Sequence, residues 1–112
     1  MARIVIADLG LGNLRSVQRA LERAVAGADN PLGHELVLTH DAAQLRHAEG
    51  VIVPGQGAFG DCVTALDAND AAWRKALLTH LQADKPYLGL CLGLQVLFER
   101  SEEAPGAAGL GW

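Results

Sequence analysis

The sequence predicts a doubly wound α/β domain, with a mainly parallel sheet and helices on both faces. Two observations carry that reading. Short apolar runs alternate with segments whose apolar residues recur at helical spacing, the pattern of strands linked by helical crossovers. The strand-like runs are continuously apolar rather than alternating, as expected when helices cover both faces of a sheet. Composition agrees: 50% of the residues are hydrophobic but only 4% aromatic, so the core is built mostly of Ala, Leu and Val.

The elements follow in order. Residues 3–8 read as a first strand. Asn13 is placed to cap a helix whose apolar positions Leu14, Val17, Leu21 and Ala24 share one side. Residues 27–33, with Asp29-Asn30-Pro31, form a surface loop. Residues 35–39 are a second strand, and Asp41 caps a short helix through Leu45. Residues 50–53 are a third strand, ended by Pro54-Gly55. A loop then leads to a helix opened by Asn69 or Asp70, with Trp73, Leu77 and Leu81 on one face. Lys85-Pro86 breaks it before a fourth strand at 86–90, and Val96-Leu97-Phe98-Glu99 reads as the helix beyond. No repeat, low-complexity tract or linker interrupts residues 1–112, which form one domain without an internal boundary.

Several function classes fall away. A formal charge of −4 supports neither nucleic-acid nor anionic-membrane binding. The longest apolar runs are too short to span a bilayer. Two cysteines, Cys62 and Cys91, make no disulfide framework, so a cytoplasmic location is expected.

Chemistry concentrates at the carboxyl ends of the strands, where doubly wound sheets bind ligands. Gly89-Leu90-Cys91-Leu92-Gly93 has a cysteine flanked at −2 and +2 by glycine where a strand turns into a helix, the cysteine form of a nucleophile elbow. Side chains at the glycine positions would collide with strand and helix. The alternative is a small buried cysteine in a glycine-rich turn. Asp8-Leu9-Gly10-Leu11-Gly12-Asn13 invites a dinucleotide reading, but Arg15 stands where a third glycine is needed and no acidic residue ends the second strand. Pro54-Gly55-Gln56-Gly57 offers backbone N–H groups that can face a developing oxyanion.

Together Asp8-x-Gly10-x-Gly12-Asn13-Leu14-x-Ser16-Val17, Pro54-Gly55-x-Gly57-Ala58-Phe59 and Gly89-x-Cys91-x-Gly93-x-Gln95 resemble the class I glutamine amidotransferases, which have a flavodoxin-like fold. Within that class they resemble the glutaminase subunit of imidazole glycerol phosphate synthase, from histidine biosynthesis. The resemblance runs from Arg3 to Trp112; Leu9 replaces a common aromatic and Gln56 a common valine. It implies that Cys91 attacks the side-chain amide of glutamine, and that the backbone N–H groups of Leu92 and Gln56 hold the oxyanion. It further implies that the Gly55-Gln56 peptide flips to bring the second donor into place. Gly57, Gln95 and Glu103 match substrate-binding positions, and Asn13 matches the interface with a (β/α)8-barrel cyclase, the partner in a heterodimer. That cyclase uses the ammonia to make imidazole glycerol phosphate and an aminoimidazole carboxamide nucleotide. No cofactor and no metal are implied.

One element of the family pattern is absent. Its Cys-His-Glu triad takes His and Glu from well downstream of the cysteine, whereas His34, His40, His47 and His80 all precede Cys91. The chain is therefore expected to be the N-terminal part of such a domain and inactive alone. Two other readings remain open: an inactive fragment or pseudoenzyme that only binds a partner, and a Cys-dependent α/β-hydrolase.

Overall fold

The computed structural model describes residues 2–12, 14–26, 33–98 and 106–112. Four strands form one sheet in the order β2-β1-β3-β4: β1 (Arg3–Ala7), β2 (Glu35–Thr39), β3 (Gly50–Gly55) and β4 (Tyr87–Cys91). Every neighbouring pair is parallel. The expected fold class holds.

The alternation of side chains along each strand divides the core into two layers. Val5, Ala7, Val51 and Val53 join one buried cluster with Ala42 and Leu45 of a 3-10 helix (Ala42–His47). From α2 (Phe59–Gln82), Phe59, Cys62, Leu66, Trp73, Leu77 and Leu81 complete it. Ile6 and Ile52, buried but outside that cluster, belong to the opposite layer, where α1 (Leu14–Ala26) rests on β2 and β3. Leu14, Val17 and Leu21 are half-buried there, while Ala24 is exposed, so the apolar stripe of α1 is one turn shorter than its spacing suggests. Asp41 caps the 3-10 helix as expected, its side chain accepting from the Ala43 N–H at 3.0 Å.

Three elements differ from the sequence reading. Strand β3 runs on through Pro54 and Gly55, because β4 continues beside it as far as Cys91. Residues 59–67, expected as loop, are the first part of α2, with Phe59, Cys62 and Leu66 turned inward at helical spacing. The helix is broken at Ala68, with Asn69, Asp70 and Ala71 all at positive φ before it resumes. Arg74 bridges the break to Asp67 at 2.6 Å.

The third difference lies after the cysteine. α3 spans only Leu92–Gln95. The Leu97 and Phe98 N–H groups turn back to Leu94 and Gln95 carbonyls, three residues away, rather than continuing the helix. The carbonyls of Val96, Leu97 and Phe98 instead accept from the N–H groups of Leu110, Trp112 and Gly111. Arg74 fixes that returning segment by donating to the carbonyls of Ala108 and Gly109. No helix among the described residues is long and apolar enough to cross a membrane.

Candidate active site

Cys91 is the last residue of β4 and the first outside α3, with φ 55 and ψ −115. A non-glycine residue rarely rests there, and the neighbouring glycines explain how it can. A Cβ at Gly89 would lie 2.5 Å from the Leu94 nitrogen and 2.6 Å from the Gly93 carbonyl oxygen. A Cβ at Gly93 would overlap the Val53 carbonyl oxygen. The start of α3 therefore folds down onto β4 and β3, and only hydrogen fits at either position. Cys91 is exposed, whereas Cys62 is buried beneath α2. Burial pushes the Cys62 thiol up to about 11, partly opposed by the nearby Arg74.

The Pro54-Gly55-Gln56-Gly57 turn comes to the same end of the sheet by strand register: Gly55 pairs with Cys91 across β3 and β4. Gly55 is buried, with a built Cβ 3.3 Å from the Leu92 side chain and 3.6 Å from Leu11. Gln56 and Gly57 are exposed beyond it, Gly57 at φ +115. The side chain of Gln56 crosses to the first loop, where a Cβ at Gly12 would sit 3.1 Å from it. In that loop the Asp8 carboxylate accepts from the Gly10 N–H at 2.9 Å, closing a turn. Leu92, whose N–H was expected to face the oxyanion, has a buried side chain. Gln95 is exposed on α3. Three glycine-bearing segments far apart in sequence thus converge on one rim. Asn13 and Glu103 lie outside the described residues.

No described histidine accompanies Cys91. The His80 Nε2–H donates to the Pro86 carbonyl at 2.8 Å, at the amino end of β4. Five residues of strand, roughly 16 Å at about 3.3 Å each, separate that end from Cys91. Burial lowers the pKa of His80, and Lys85 adds to this, against the raising influence of the Pro86 bond. His34 accepts from the Ala2 N–H near the same amino end. His47 ends the 3-10 helix just ahead of β3. His40 follows β2, three strands from β4. Among the described residues no group of three or more His, Cys, Asp or Glu comes together to hold a metal ion. Two cavities of about 410 and 430 Å³ open elsewhere, one between the 3-10 helix and α2, the other over Ile4, Ile52 and Leu88.

One contributor to the rim escaped the sequence reading. The Tyr87 hydroxyl, at the start of β4, donates to the Gly93 carbonyl. Only its alternation with Gly89 and Cys91 along the strand could have hinted at this.

No family model matches the chain. Among curated proteins it is similar to imidazole glycerol phosphate synthase subunits HisH. The subunit from Mesorhizobium japonicum is 38% identical over 110 residues, which is 98% of this chain and 50% of that one. That from Rhodopirellula baltica is 44% identical over 108 residues, 96% of this chain and 48% of that one. For Dechloromonas aromatica the identity is 48% over 100 residues, 89% and 42% of the two chains. The chain thus spans about half the length of the curated relatives it matches. A crystal structure of a glutamine amidotransferase superposes with a TM-score of 0.72 over 96% of this chain and 51% of that one. At 20% identity it shows the fold alone.

Proposed function

We propose that this chain, a relative of the HisH subunits, is the nucleophile-bearing part of a glutaminase that supplies ammonia to a cyclase in histidine biosynthesis. The observation that carries the reading is the strained Cys91, held at φ 55 between two glycines that admit no side chain, with Gly55 as its strand partner. This is how a nucleophile is raised from the end of a strand with backbone donors beside it.

In the proposed mechanism the Cys91 thiolate adds to the side-chain amide carbon of glutamine. The oxyanion accepts from the N–H groups of Leu92 and Gln56 as negative charge develops. Collapse forms a glutamyl thioester and expels ammonia once its nitrogen is protonated; water then releases glutamate. Gly55 permits the Gly55-Gln56 peptide to swing its N–H toward substrate. Gly57, Gln95 and Glu103 hold glutamine, and Asn13 faces the (β/α)8-barrel cyclase. The protonating group is not among the described residues, because every histidine sits away from the carboxyl end of β4. The chain by itself therefore binds and attacks without sustained turnover. Cytoplasmic location and a heterodimer with the cyclase belong to the same reading.

Labelling with an L-glutamine-derived chloroketone tests it. Cys91 should be alkylated with saturation kinetics, and glutamine should protect it. Labelling that neither saturates nor responds to glutamine would overturn the assignment. Ammonia release from the chain, with and without the cyclase, should stay at background. Robust turnover would return the upstream histidines to consideration.

A further inference from the structure

The nucleophile turn is fastened from below by a side chain that lies outside its motif. Tyr87, Gly89 and Cys91 alternate along β4, level with Val51, Val53 and Gly55 of β3. The Gly93 carbonyl settles over Gly89, where a Cβ would meet its oxygen at 2.6 Å. Two residues back on the same side of the strand, the Tyr87 hydroxyl donates to that carbonyl at 2.5 Å. In a continuing α-helix Gly93 would receive the N–H of Leu97. Here Leu97 bonds the Leu94 carbonyl at 3.2 Å instead, because α3 stops at Gln95. Gly93 is buried, so without Tyr87 its carbonyl would lack both that helical donor and ready access to water. Burial, reinforced by the neighbouring Cys62, raises the pKa of the phenol and keeps it a donor well into the alkaline range.

We propose that Tyr87 is a positioning residue for Cys91: its hydroxyl fixes the Gly93 carbonyl, and with it the backbone that presents the thiol and the Leu92 N–H. A backbone held at an unfavourable φ persists only where its surroundings over-determine it, and this bond is one of those determinants. The inference rests on Cys91 being the nucleophile of a glutaminase. Its structural half can be tested without that premise.

Tyr87→Phe keeps the ring and removes the donor. Amide exchange at Val96 and Leu97 should quicken at least tenfold, with β1 and β3 amides unchanged. Unaltered exchange at those two amides, or a rise spread evenly over the sheet, would overturn the proposal. With the glutamine-derived chloroketone, the maximal alkylation rate of Cys91 should fall at least fivefold while the half-saturating concentration stays within twofold. An unchanged rate, or a shift in half-saturation alone, would also overturn it. If the unsubstituted chain shows no saturable labelling, the glutaminase reading fails, and the exchange measurement alone decides the role of Tyr87. Should the variant not fold, the intact chain decides. The hydroxyl proton of its single tyrosine should give a discrete, slowly exchanging NMR signal, and a hydroxyl averaged with water would reject the bond.

Discussion

A methyl group at Gly93 would overlap the carbonyl oxygen of Val53 in the central strand β3, and α3 can relieve that overlap only by lifting off the sheet. Gly93→Ala should therefore destabilise by more than about 3 kcal/mol, at the upper end of overpacking effects. That corresponds to a melting point at least roughly 10 °C lower for a chain of this size. Gly106→Ala, which meets nothing within 4 Å, serves as the control and should shift stability by less than about 0.5 kcal/mol. A second residue-scale prediction separates the cysteines. With its thiol raised to about 11, Cys62 stays protonated at neutral pH. It is also fully buried, while Cys91 is exposed. Iodoacetamide followed by peptide mass mapping should find Cys91 alkylated at least tenfold faster; equal rates would remove the accessible elbow. The elbow itself was readable, since Gly89 and Gly93 at −2 and +2 announce a turn with no room for Cβ. The Tyr87 bond was not, because it depends on where α3 ends.

The break in α2 is the element most open to adjustment. Asn69 and Asp70 are of the residue types that most readily adopt positive φ, whereas Ala71 at φ 57 is not. Ala71→Gly should raise stability by about 0.5–1 kcal/mol, the left-handed strain relieved less the added freedom of the unfolded chain. A urea midpoint that falls on this substitution would show that the break is not held at positive φ. The helix before the break was legible in principle: Phe59, Cys62 and Leu66 stand three and four residues apart. Gly60, Asp61 and Thr64 between them obscure the signal, and the polar stretch Asp67–Asp70 reads as loop. The end of α3 could not be foreseen from Val96-Leu97-Phe98. Its carbonyls are taken by residues 110–112, a pairing that local spacing does not encode.

For the whole molecule, three buried or partly buried titratable groups bound the stable pH range. Tyr87 and Cys62 have raised pKa values in the fold, so above their ordinary values of 10.0 and 9.0 the unfolded chain releases protons that the folded one retains. Stability is then lost as pH climbs. His80 is depressed from 6.5, so below that value the unfolded chain takes up a proton that the fold resists, and stability falls with pH. Urea midpoints should be highest between about pH 7 and 9, and Cys62→Ala should flatten the alkaline limb; a midpoint still rising at pH 10 would contradict this. Among the described residues no strand pairs with the outer side of β4, and Leu88, Leu94, Phe98 and Trp112 are each at least half exposed. Chains of this length should associate with rising concentration in sedimentation velocity, and Leu88→Lys should weaken that association. Strictly monomeric behaviour at high concentration would show that the exposed face is harmless. Parallel pairing was legible from the alternation of strands and helices, but the strand order was not read from the sequence; Asn13 and Glu103 stay expectations because they lie outside the described residues.

The backbone bonds from Leu110, Gly111 and Trp112 to residues 96–98, with the Arg74 clasp on Ala108 and Gly109, also have a temporal consequence. During synthesis at about 5–20 residues per second, residues 108–112 emerge roughly one to four seconds after Cys91 and Gly93. Through that interval β4 can pair with β3, but the stretch following Gln95 has no partners for its carbonyls. A ribosome stalled within that window would display an assembled sheet and an unfinished turn. The stretch after Gln95 therefore acquires its final setting only when these residues fold back, a late event even though β4 forms early.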